Sequence, residues 1–96
     1  MSELPEFTVR VALVGVSAEQ ATEIMPWMQE ELAYYSHFKS PTLSWDESNG
    51  RIILHTQIDA TDSYTAGEWV ASDLWKLTGA ALANPEGLQV VILSVE

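Results

Sequence analysis

Residues 41–59 read PTLSWDESNGRIILHTQID, and the fold turns on how this stretch is read. Leu43 and Trp45 alternate with Thr42, Ser44 and Asp46; further on, Ile52, Leu54, Thr56 and Ile58 alternate with Ile53, His55, Gln57 and Asp59. A period of two places each set on one side of a strand, so both arms read as half-buried strands. Ser48-Asn49-Gly50 lies between them, and Asn-Gly is the strongest short signal for a tight hairpin turn. A β-hairpin is therefore predicted in the middle of the chain, with the polar side of its second arm as the open question.

Working toward the N-terminus, EFTVRVALVGV (6–16) sets Phe7, Val9, Val11 and Leu13 against Thr8, Arg10, Ala12 and Val14, which predicts a first strand. Ser17 with Gln20 three residues on is a capping-box pattern and starts a helix. Its apolar stripe is Ala21, Ile24, Met25, Met28, Leu32 and Tyr35. Pro26 falls inside that stripe, has no amide to donate and crowds the carbonyl of Thr22, so a kink or a break into two short helices is expected. Working toward the C-terminus, Asp59, Thr61 and Asp62 offer capping chemistry for a second helix with the stripe Ala66, Val70, Leu74, Leu77 and Ala81. Gly79 and ANPEG (83–87) are the breakers expected to end it. LQVVILSV (88–95) is a dense β-branched run, read as a strand buried at least in part on both faces.

The order is strand, helix, strand, strand, helix, strand in a single domain, 1–96. Two right-handed crossovers sharing the hairpin give an α+β βαββαβ arrangement: a four-stranded antiparallel sheet in the order 4-1-3-2, with two helices on one face. This resembles the ferredoxin-like superfold. At the level of fold it is similar to small regulatory domains that bind amino acids and to dimeric ferredoxin-like barrels. The resemblance covers nearly the whole chain and rests on element order, and such superfolds host many unrelated functions.

Composition excludes more than it assigns. Four Lys+Arg against 14 Asp+Glu leave a formal charge of −10, so phosphate-rich nucleic acid and anionic membranes are repelled and neither is an expected partner. The chain has no cysteine, which removes disulfides, thiolate chemistry and Cys-type zinc sites. The opening MSELPEF lacks a basic, apolar targeting pattern, and no run approaches the ~20 apolar residues of a membrane span. A cytoplasmic protein is expected.

With both helices on one side of the sheet, the other side should present Thr8, Arg10, Ala12 and Val14, then Thr42, Ser44 and Asp46, then Ile53, His55, Gln57 and Asp59. From the last strand it should present either Gln89, Val91, Leu93 and Val95 or the alternate set. Toward the first and last strands this face is apolar, and contiguous exposed apolar surface usually marks an interface. Self-association as a homodimer or higher homo-oligomer is expected, with Val14, Val91, Leu93 and the off-stripe Trp69 as interface residues. Arg10, His55 and Gln57 are the candidates for binding a small molecule. Asp59 lies about 13 Å from His55 along the strand, too far to orient its ring.

His37, near the end of the first helix, reads as a cation complementing the helix dipole. Tyr35 and Phe38 beside it read as core. Trp27, Trp69 and Trp75 divide between partner contacts and core edge. A cysteine nucleophile, a G-x-S-x-G elbow, a P-loop, a G-x-G-x-x-G turn and metal-helix His-Glu spacing are all missing from the sequence. No catalytic residue, metal or cofactor is assigned. The preferred expectation is a non-catalytic self-associating interaction or small-ligand-sensing domain, also open to a protein partner. The alternative is a small enzyme on the open face, with His55 as general base and Arg10 binding an anionic substrate.

Overall fold

The computed structural model describes residues 3–96; Met1 and Ser2, the first residues of the stretch scanned for a targeting signal, lie outside the described residues. The elements are β1 (Glu6–Val14), α1 (Ala18–Leu32), β2 (Lys39–Asp46), β3 (Arg51–Asp59), α2 (Ser63–Ala81) and β4 (Gln89–Val95). All sheet pairs are antiparallel, in the order β2-β3-β1-β4. This is the 4-1-3-2 order counted from the opposite edge, and the fold is ferredoxin-like.

One sheet face meets the helices. Val9, Val11 and Leu13 of β1 and Ile52, Leu54 and Ile58 of β3 pack against Ala21, Ile24, Met28 and Leu32 of α1 and Ala66, Val70, Leu74 and Leu77 of α2. Each helical set recurs at three and four residues, and each strand set at two, so all four stripes converge on one core. α2 lies over β1 and β4, α1 over β2, and the helices touch along their sides. Both halves of the capping box form: Ser17 Oγ accepts from the Gln20 amide and Gln20 Oε1 from the Ser17 amide, each at 3.1 Å. α2 is capped by Asp62, whose Oδ1 accepts from the Thr65 amide at 2.7 Å. That bond holds the Asp62 carboxyl below its usual range.

Two of four local expectations need correction. α1 runs through Pro26 as one helix, so of the expected kink or break the break does not occur; Pro26 and Thr22, whose carbonyl loses its amide partner, are both exposed to water. Gly79 does not end α2; it is exposed within the helix, which continues until the Leu82 amide donates to the Thr78 carbonyl. The hairpin is not closed by a tight Asn-Gly turn. Glu47–Asn49 form one 3-10 turn and only Gly50 is left-handed, at φ 59° and ψ 50°, while Asn49 spends its side chain on Asp46 at 2.9 Å. Finally, β4 is covered in part on both faces, with Val90 and Val95 half-buried on the helix side and Ser94 on the open side, and no residue of it is fully buried, because the strand lies at the sheet edge. Among the described residues, no helix is long and apolar enough to cross a membrane.

Candidate functional site

The open sheet face is organised in rows by strand register. Ser44, Ile53, Ala12 and Val91 form one row across β2, β3, β1 and β4; Thr42, His55, Arg10 and Ser94 form the next. Gln57 stands opposite Thr8 in a third. Register thus sets Arg10 directly across from His55, with Gln57 two residues on and on the same face. Arg10 and His55 are exposed and Gln57 is half-buried. The ion pairs of the described residues use His37, Lys39 and Arg51, leaving Arg10 outside them.

The apolar row is less accessible than alternation suggests. Ala12 and Ile53 are buried although neither belongs to the helix-side core. Their neighbours on the face screen them, which leaves the half-buried Val14 and Leu93 and the exposed Val91. β4 follows neither of the two sets foreseen for it. Val91 pairs with Ala12 and Ile92 with Val11, but Ser94 pairs with Arg10, so Leu93 is the extra residue of a β-bulge. Before the bulge Gln89 and Val91 take the open face; beyond it Val95, opposite Val9, has returned to the helix side.

Trp69 is not part of this surface. It belongs to α2, on the opposite side of the sheet, and its indole stacks on the His37 ring with centroids 4.5 Å apart and planes 7° from parallel. His37 Nε2 meets Asp73 Oδ2 at 2.6 Å. The helix-dipole role assigned to His37 therefore gives way to a side-chain pair between the segment after α1 and the middle of α2. Phe38 packs edge-on to the same ring at 4.5 Å and Tyr35 stacks on Phe38 at 5.4 Å. Burial raises the Tyr35 hydroxyl above its ordinary pKa, reinforced by the carboxylates of Asp73 and Glu31. Asp73 is the residue sequence reasoning passed over. Its signal was its position three residues after Val70 and four before Leu77, on the flank of the buried stripe, where an acid needs a partner.

A depression of about 640 Å³ opens at the end of the sheet, lined by Glu3, Leu4, Glu6, Lys39 and Asp59. Arg10, His55 and Gln57 do not line it. Its one cation, Lys39, already donates to Glu6 at 2.7 Å and to Asp59 at 2.9 Å, and the Glu6 and Asp59 bonds raise the ammonium above its usual pKa. No group of three potential metal ligands is found among the described residues. Comparison with protein-family models, with curated proteins and with solved structures gives no match.

Proposed function

We propose that the chain is a non-catalytic, self-associating interaction domain, located in the cytoplasm, whose open sheet face is left available to a small ligand or a protein partner. The observation that carries this reading is β4. In a chain of formal charge −10, it has no ionisable residue and exposes Val91 and Ile92 to 41% and 39%. Exposed apolar surface of this kind is what association removes from water, at roughly 25 cal/mol per Å² of apolar area.

Sedimentation velocity over a concentration series, at low and at moderate salt, tests the proposal. Two copies at −10 repel through water, and added salt shortens the range of that repulsion. A dimer that tightens as salt rises is expected; a monomer at all concentrations and salts contradicts the reading.

The second reading, an enzyme with His55 as general base and Arg10 binding an anionic substrate, draws on their direct opposition across β1 and β3. Against it, no carboxylate bonds the ring among the described residues: Asp59 is engaged with Lys39, and Asp73 with the other histidine. His55→Gln is expected to leave fold and mass unchanged. A substrate-like ligand bonded to the His55 ring would favour the enzyme.

A further inference from the structure

We infer that the second copy docks on the edge of β4, pairing strand to strand in the antiparallel sense about a two-fold axis near Val91, so that two sheets join into one of eight strands. The inference rests on the self-association proposed above and specifies its geometry.

The first support is the direction of the exposed apolar side chains. Val91 stands opposite Ala12 on the open face. Ile92 points to the helix side, where a methyl group built on Gly67 would lie 3.2 Å from Ile92 Cδ1. Consecutive residues on opposite faces are exposed to nearly the same degree. A partner laid on the open face would cover Val91 and leave Ile92 wet, whereas a strand added alongside covers both.

The second support is the flank of α2 above that edge. His37 approaches α2 from the side of Trp69 and Asp73, while Gly67 rests on Ile92 and Val95. Counting from Gly67 at helical spacing, Ala71 and Trp75 follow at steps of four, and Tyr64 lies seven before Ala71. Tyr64 and Trp75 therefore stand on the flank turned away from His37, above the β4 edge, and are 75% and 43% exposed. Aromatic side chains of this kind anchor interfaces because they cover much area at little entropic cost.

The third support identifies the occupant as a copy of this chain. Each of the other strands carries acids, at Glu6, Asp46 and Asp59, and β4 carries none. Over Gln89–Val95, pairing this strand with its own copy therefore sets no side-chain carboxylate of one strand against that of the other. A two-fold near Val91 also makes the strand its own complement: Val91 meets Val91 and Val90 meets Ile92.

Multi-angle light scattering and sedimentation equilibrium on the native chain, Trp75→Glu and Ser44→Glu test the geometry. Trp75→Glu places a carboxylate on the α2 flank, and Ser44→Glu places one on the open face toward β2. The expected result is a native dimer that Trp75→Glu weakens roughly tenfold or more and Ser44→Glu leaves essentially unchanged, with all three chains folded by circular dichroism. If Trp75→Glu disturbs the fold, Tyr64→Glu replaces it with the same expectation. A dimer broken by Ser44→Glu and indifferent to the α2 flank overturns edge pairing while self-association stands. A monomeric native chain overturns both.

Discussion

Edge strand β2 carries Lys39, Pro41 and Asp46, and its register slips between Lys39 and Thr42, where Ser40 adopts a φ of 48°. Edge strand β4 also has a bulge, at Leu93, but between Gln89 and Val95 it has no proline and no charge. Unpaired edges recruit other strands, and lysine, proline and bulges are the usual devices that prevent it. β2 has all three, whereas β4 has only the bulge, placed toward its end so that Gln89–Ile92 stays regular. One sheet thus shows both treatments of an edge, closed to pairing on one side and open on the other. The unprotected edge is where the proposed assembly acquires its geometry.

The turns beside the two edges differ as well, and breaking them gives the largest expected effect. Gly15 leads out of β1 at φ +96°, and a Cβ there would stand 2.9 Å from the Gly87 carbonyl oxygen just before β4. Gly50, in the β2–β3 hairpin, sits at φ +59° with its nearest such neighbour 3.6 Å away. Gly15→Ala therefore combines a left-handed cost with a backbone clash and is expected to destabilise by about 2–4 kcal/mol, against about 1–2 for Gly50→Ala. Urea denaturation of both variants measures the difference, and equal losses would show that the close approach of Gly15 to the Gly87 carbonyl adds no cost.

Next in size is the clamp on the side of α2 away from the β4 edge. His37→Ala leaves the largely buried Asp73 carboxylate without its partner, which is expected to cost about 1–3 kcal/mol by chemical denaturation. If that variant also lost dimer at fixed stability, the assignment of the two flanks of α2 to separate tasks would fail.

Removing the protection of β2 acts chiefly on association, the fold losing only the half-exposed pairs of Lys39 with Glu6 and Asp59. Lys39→Val with Pro41→Val is expected to produce species larger than a dimer in sedimentation velocity, since both edges of the sheet are then open. A distribution identical to that of the native chain would show that the β2 bulge alone closes this edge.

The smallest effect concerns the hairpin tie. Asp46 accepts from Asn49 at 2.9 Å and from Arg51 Nε at 2.7 Å, which hold its carboxyl below the ordinary range. A depressed folded-state pKa contributes stability above the unfolded value of about 3.9, and that contribution disappears as pH falls through the folded value. The stability gap between the native chain and Asp46→Asn is therefore expected to be constant near neutrality and to close below about pH 4. A gap that widens with acid would reverse the sign of the argument.

Much of the fold was legible because its signals are local. Alternation at Phe7–Leu13 and Leu43–Ile58 marked strands, Ser17 with Gln20 marked a helix start, and the helical stripes gave the buried face. The extra residues at Ser40 and Leu93 were not legible, since a bulge exists only relative to the strand it pairs with. That one residue decided which side chains of β4 share the open face. The screening of Ala12 and Ile53 needed neighbours from adjacent strands, and the His37–Asp73 contact joins residues 36 apart in sequence. Within the candidate site, alternation put Arg10 and His55 on one face, but their direct opposition is a β1–β3 register that no local signal fixes; the separation of Trp69 from Val14, Val91 and Leu93 follows from its place on α2, on the helix side of the sheet.

Hydrogen exchange of the backbone amides of β2 and β4, followed on the native chain at concentrations below and above its association midpoint, tests the difference between the edges most directly. Edge pairing predicts that the outward amides of Gln89–Ile92 become protected as concentration rises, while those of Lys39–Asp46 exchange at an unchanged rate. Association without new protection in β4, or with protection gained in β2, would contradict it.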